Sequence, residues 1–334
     1  MVAELSRHPQ KCGTPGYHMI LTSNGLEKIE SYSIVKGTIY LLITTIGVVG
    51  NTVILLSFAL IGLRERRLAK PETVLSHLAA ANLIVFLTRM LPAVLYDYGW
   101  RNFFGDASCK AVCYIFRVFR GMAIGLTCLL SCFQCRILSG TRASSTEKDK
   151  IQRSVKPMIC VLYLANMAVN ADVAIMATNP FNASTFKFVF NPGFCLVIYP
   201  EKISFEATGY VDFAFDLIFV ILMALASGRI LLILHKHKKK MNAVRILDQG
   251  SSAEIKATKT VIVLVSFYVS FYGIDNTIWL YQTVVNEINV VVSDVRVFFT
   301  MCYGAVFPFI LTAFNKKINV LYKNYCTANC EVRM

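Results

Sequence analysis

Residues 109–135 read CKAVCYIFRVFRGMAIGLTCLLSCFQC, a run whose only charges are Lys110, Arg117 and Arg120. About 20 apolar residues cross the hydrocarbon core of a bilayer, so this segment is long enough to span one as a helix. A charge buried there is costly without a partner or water. Arg117 and Arg120 are three residues apart and share a helix face, where two cations demand anions or water beside them.

Six more apolar runs lie outward from this one, at roughly 37–62, 73–98, 156–178, 207–234, 257–284 and 294–314. The chain has 334 residues, 55% of them hydrophobic and 16% charged, against about a quarter charged in a soluble domain. The expected fold is an all-α membrane protein, a seven-transmembrane helix bundle. Its expected organisation is an extracellular tail over 1–36, a seven-span domain over 37–314, and an amphipathic inner-surface helix with a cytoplasmic tail over 315–334. The tail shows no basic-then-apolar leader, so the first span is read as a signal anchor.

Basic residues orient the bundle. The loops after the first, third and fifth runs, with the carboxyl-terminal tail, hold twenty-one Lys and Arg. The opposite loops hold only Arg101, Lys187 and Lys202. This asymmetry places the amino terminus outside the plasma membrane and the carboxyl terminus in the cytoplasm. It also explains the formal net charge of +14 without nucleic acid, because the cations sit between apolar runs.

Of the eleven cysteines, Cys128, Cys132, Cys135, Cys160 and Cys302 fall inside apolar runs and read as small core hydrophobes. Cys109 and Cys195 fall on the outer side, where an oxidising exterior permits a bond between them. Asn182-Ala183-Ser184 is a glycosylation sequon on the same side. Cys326 and Cys330 follow the amphipathic segment and are candidates for palmitoylation, which would pin it to membrane lipids.

The intramembrane charges all lie in the outer half or near the midplane. With a rise of about 1.5 Å per residue, Arg117 and Arg120 fall roughly 12 and 16 Å below Cys109, and Arg89 about 14 Å below the outer end of its helix. Asp216 and Asp275 lie at similar depth, Asp172 and Asp212 are shallower, and Asp97 and Arg296 mark the rim. The inner halves are almost free of charge. The pattern fits a cavity open to the outside and closed towards the cytoplasm, though mutual pairing of these residues would explain them too. No cofactor or metal site and no hydrolase signature is present, and the two halves of the chain lack the matched broken helices of a transporter.

Several motifs go further. Gly50-Asn51, Cys109 with Cys195, and Pro308 are similar to landmarks of rhodopsin-like G-protein-coupled receptors. Lys70-Pro71 leading to the 77–82 block HLAAAN, the 114–121 block YIFRVFRG, the 127–134 block TCLLSCFQ, and the 257–260 block ATKT followed by the 264–267 block LVSF resemble vomeronasal type 1 receptors. Their fish members are called olfactory receptors class A-like. The resemblance covers roughly residues 37–325. It implies a chemosensory receptor for pheromones or odorants that binds a small molecule outside and activates a heterotrimeric G protein, with an inhibitory-type Gα. Gln134 stands where most rhodopsin-like receptors have an arginine, and Asn82 replaces their helix-2 aspartate, as in this branch.

On this reading Arg89, Arg117, Arg120, Asp216 and Asp275 are the expected ligand-binding residues, and the arginines favour an anionic or acceptor-rich ligand. Gln134, Arg136, Lys256 and Lys259 are the expected G-protein face. A bitter-taste-type receptor and a multi-pass transporter or channel are the alternatives.

Overall fold

The computed structural model describes residues 23–66, 68–100, 103–139, 154–178, 189–190, 194–243, 251–285, 290–315 and 317–320. Helix α1 is Ser23–Glu65, α2 Lys70–Val85, α3 Leu91–Asp97, α4 Asp106–Ser139, α5 Val155–Val169, α6 Ala171–Met176, α7 Lys202–Ala243, α8 Ser251–Val285 and α9 Val290–Phe314. Among the described residues six helical stretches are long and apolar enough to cross a membrane. The shorter α5 continues into α6 after a break at Asn170, and together they supply the remaining span. The architecture is a membrane helical bundle, α4 being the most buried span at its centre.

Several boundaries differ from the sequence expectation for physical reasons. Helix α1 starts at Ser23, well before residue 37, so part of the stretch expected to be a tail is helical. Leu26, Ile29, Ile34 and Val35 continue the apolar pattern there without a proline. Tyr32 and Lys36 bind Asp294 at the start of α9, at 2.8 and 3.5 Å, and Lys36 also meets Asp97 at 3.0 Å. The second span is interrupted by a π-turn at Phe86–Met90, where the Leu91 N–H reaches back to the Phe86 carbonyl. Pro92 follows directly, and a proline ring cannot tolerate the carbonyl four residues back in ordinary helical register. The span expected at 156–178 ends as a helix at Met176, and Ala177–Thr178 is a strand.

Three short strands that the sequence pattern does not announce roof one end of the bundle, the end the loop charges assign to the outside and called outer below. β1 (Ala177–Thr178) and β2 (Val189–Phe190) both pair antiparallel with β3 (Leu196–Ile198), giving the order β1-β3-β2. Cys195, just before β3, is bonded to Cys109 at the top of α4, with a Cα–Cα distance of 5.7 Å. Leu196 and Val197 of β3 are buried, as are Phe194 and Tyr199 on either side of it.

Two apolar cores lie in series. The outer one gathers Phe86, Met90, Cys113, Val173, Phe194, Val197 and Met301. The larger inner one gathers Phe58, Leu78, Met122, Leu126, Leu130, Leu264, Phe307 and Leu311. Close approach of the spans requires glycine most clearly where a Cβ on Gly47 would overlap the Phe86 ring and where one on Gly121 would overlap Asn166 Oδ1. At the inner end Lys317 bridges Glu65 and Glu72 at 2.7 and 3.0 Å. Asn315 Oδ1 accepts the Lys317 and Ile318 N–H groups, capping the segment expected to be amphipathic. That segment is described only as far as Val320.

Candidate functional site: an ion cluster under the outer roof

Four spans converge on one charged cluster. Arg117 and Arg120 project from the same face of α4, and Asp212 and Asp216, four apart, from one face of α7. Asp275 comes from α8 and Arg296 from α9. Arg117 Nη1 donates to Asp212 Oδ2. Arg120 Nη2 reaches Asp216 Oδ2 at 2.8 Å and Asp275 Oδ2 at 3.2 Å. Arg296 Nε donates to the other Asp275 oxygen at 2.5 Å. Asp275 is thus held by guanidiniums from two spans and is 2% exposed.

Aromatic groups floor and flank this network. The Arg120 guanidinium lies 5.4 Å from the centre of the Tyr272 ring, a cation–π distance. Tyr272 stacks on Tyr268, one turn further in, with 4.1 Å between centroids, and Tyr268 packs edge-on to Tyr303 of α9. Arg89, in the π-turn, is 8% exposed, with the Phe116 and Phe194 rings 5.9 and 5.7 Å away. Tyr199, just after β3, donates to Asp172 at 2.9 Å. Burial raises the Tyr199 phenol pKa above its ordinary value, so it remains a donor.

The expected outer basin therefore takes a different form: the charges lie against one another instead of lining open space. Beside Arg120 a chamber of about 10 Å³ remains, bordered by Asn82, Phe86, Tyr272, Tyr303 and Gly304, enough for one water. The reason is electrostatic. Oppositely charged side chains in a medium with little water gain more by contact than by facing a void.

Of the expected ligand-binding residues, the structure brings Arg120, Asp216 and Asp275 into direct contact and seats Arg117 beside them through Asp212. Arg89 stands between the Phe116 and Phe194 rings in the outer apolar core. At the opposite end of the bundle Arg136 is exposed, and Gln134 is buried at 6% on the helical face it shares with Leu130 and Leu138, both buried. Lys256 and Lys259 fall on the inner end of α8. Asn182, Cys326 and Cys330 lie outside the described residues.

The model of the vomeronasal organ pheromone receptor family matches residues 34–324. This interval takes in all but the first turns of the first span and every residue of the ion cluster. The chain belongs to that family. Among its relatives, the olfactory receptor class A-like protein 1 of Danio rerio is 36% identical over 286 residues, covering 85% of this chain and 90% of the relative. The vomeronasal type-1 receptor 4 of Homo sapiens is 26% identical over 271 residues, 80% and 90% of the two chains. The vomeronasal type-1 receptor 90 of Rattus norvegicus is 27% identical over 294 residues, 86% and 94% of the two chains. As a member of the vomeronasal family the chain is a multi-pass, chemosensory G-protein-coupled receptor and not an enzyme.

Sequence reasoning placed Arg296 at the rim and missed its pairing with Asp275 in this vomeronasal-type receptor. Tyr272 does not stand out in the sequence from the other aromatics of the spans, although the i, i+3 spacing to Asp275 puts both on one face of α8. The contact of Lys36 with Asp97 and Asp294 was missed as well. Its one signal was that each of the three stands at the outer end of an apolar run.

Proposed function

We propose that this receptor sits in the plasma membrane with its amino terminus outside, and binds a small anionic or acceptor-rich pheromone or odorant within the outer half of the bundle. Binding the active arrangement better than the resting one then shifts the population. The partner inside is a heterotrimeric G protein of the inhibitory type, meeting Arg136, Lys256, Lys259 and the basic inner loops, with Gln134 reached only once the spans part. The orientation is supported by the Lys and Arg asymmetry of the loops. Asn182 is then a glycan site, and palmitate on Cys326 and Cys330 ties the tail to membrane lipids.

The observation that carries the ligand class is the convergence of Arg117, Arg120 and Arg296 under the roof, with Arg89 nearby. Guanidiniums present fork-shaped donors that match carboxylates. Their present partners are aspartates, so an entering acid exchanges one carboxylate for another and meets little net penalty.

The test is ligand-stimulated nucleotide exchange on a purified G protein, with the receptor in lipid vesicles and a panel of small acids, amines and steroids. Acids are expected to be active, and Arg117→Ala or Arg120→Ala to weaken them at least tenfold, about 1.4 kcal/mol. Unchanged potency for every active acid in variants that still fold would end the acid reading. Ligand-dependent flux without any G protein would favour a transporter.

A further inference from the structure

The ion cluster is balanced, with Arg117, Arg120 and Arg296 facing Asp212, Asp216 and Asp275. An acid entering it must displace one of these carboxylates or leave a surplus negative charge in a poorly hydrated site. We propose that Asp275 is the carboxylate displaced: it occupies, in the resting receptor, an anion seat formed by Arg120 and Arg296, and a ligand carboxylate takes that seat. This rests on the acid reading above and goes beyond it by naming the seat and its resident.

Three observations single out Asp275. Arg296 has the most exposed side chain of the three paired arginines, at 26% against 18% for Arg117 and 16% for Arg120, so an anion arriving from outside meets it first. Arg120 holds Asp216 at 2.8 Å and Asp275 at 3.2 Å, so it keeps its closer partner when Asp275 leaves. Asp275 also stands on α8, whereas its two guanidiniums stand on α4 and α9. A ligand carboxylate satisfies both arginines without being attached to α8, and the displaced Asp275 carboxylate turns out of the cluster towards the water of the entry path, so the exchange keeps the cluster neutral while untying the sixth span from the third and seventh. The stacked Tyr272 and Tyr268, on the inward side of Asp275, carry a shift of α8 towards Tyr303. Binding and release of α8 are thereby one event, which is the differential contact that a population shift requires.

The test uses the full-length receptor in lipid nanodiscs, with sodium acetate as the probe. Sodium chloride at equal ionic strength and neutral acetamide are the controls. Asp275→Ala empties the seat and is expected to raise ligand-free nucleotide exchange about threefold or more. Acetate is expected to raise the heat-unfolding midpoint of that variant by roughly 2 °C over chloride, by binding the folded state. It should leave the exchange rate high, because acetate is not tethered to α8. Wild type, whose seat is filled, and the double variant Asp275→Ala with Arg296→Gln should both ignore acetate. Asp275→Asn, which keeps the volume and loses the charge, should reproduce the raised exchange. Asp275→Ser, small and polar, serves both arms if the alanine variant does not fold.

Acetate acting no better than chloride on the folded variant overturns the seat. Exchange at the wild-type level in both Asp275→Ala and Asp275→Asn overturns the tether, and with it the proposal. The heat-unfolding arm involves no G protein, so its failure is distinguishable from that of the receptor reading, which would appear as a wild type silent towards every ligand.

Discussion

Between Arg117 and Arg296 the spans meet through guanidinium–carboxylate contacts, whereas further in, from Leu126 to Leu311, they meet through aliphatic and aromatic side chains. The hydrocarbon around the bundle is as apolar as leucine, so hydrophobicity alone does not drive helices together there. Packing density and polar contacts do. The inner half relies chiefly on the first, and the outer half adds the ion cluster to its own apolar core. Methyl groups in a packed core have no substitute that a ligand could supply, but a carboxylate has one, namely another carboxylate. The half that is exchangeable is the half beneath the roof, and the half that is not lies at the opposite end of the bundle. This division suits the proposed receptor mechanism, in which the exchangeable half rearranges on binding and the packed half transmits the rearrangement.

The sharpest way to break this contrast is to strip a charge from the outer half. Arg120→Ala strands Asp216, 7% exposed, and leaves Asp275, 2% exposed, with Arg296 alone, so it should cost about 3–5 kcal/mol of stability. Arg120→Lys should recover part of this, because an ammonium keeps the charge but not the two-sided fork. The measurement is the heat-unfolding midpoint in nanodiscs. Leu126→Ala, in the inner core and fully buried, should cost less, about 2–4 kcal/mol, by opening a cavity. If the leucine variant proved the more damaging, ion pairing would not dominate the outer half and the contrast would fail.

The seven spans were legible because bilayer thickness sets their length, and the family resemblance rests largely on the third-span block and its arginines. The demand of Arg117 and Arg120 for anions was legible too. Which aspartates answer was not, because that depends on how α7 and α8 are rotated about their axes, a property of packing that no single helix encodes. The π-turn was hidden for a similar reason: Pro92 announces a disturbance, but Gly47, on another span, makes the space that Phe86 fills. The strands of the roof are two or three residues long, too short to show any alternation, and they are fastened through Cys195 to a helix 86 residues away. Lys36 and Asp294 are separated by nearly the whole chain, so their contact follows only from closure of the bundle.

Between these extremes lies Gly121, where the third and fourth spans touch. Gly121→Ala puts a methyl against Asn166 Oδ1, a side chain that is fully buried and also bonds the Leu162 carbonyl, so it has little room to yield. The expected cost is about 1–3 kcal/mol. The double variant with Asn166→Ala should lose less than the sum of the two single losses, because the clash disappears with the amide. Additive losses would mean that the two spans separate bodily and that the contact is not a local one.

The smallest effect belongs to the inner clip, and it sharpens the contrast by showing a charge that is not exchangeable in the same sense. Lys317 donates to Glu65 and lies near Glu72, which itself accepts the Ala69 N–H at 2.9 Å. The hydrogen bond to Glu65 raises the Lys317 pKa above its ordinary value, so the ammonium stays charged throughout the physiological range. Both Lys317 and Glu65 are 44% exposed, however, and water screens them as it does not screen Asp275. Lys317→Ala should therefore cost no more than about 1 kcal/mol. Raising salt should shrink that cost towards zero while leaving the cost of Arg120→Ala nearly unchanged. Equal salt sensitivity at the two sites would place the outer cluster in contact with bulk water, and an aspartate already bathed in water would have no reason to be the resident of a ligand's seat.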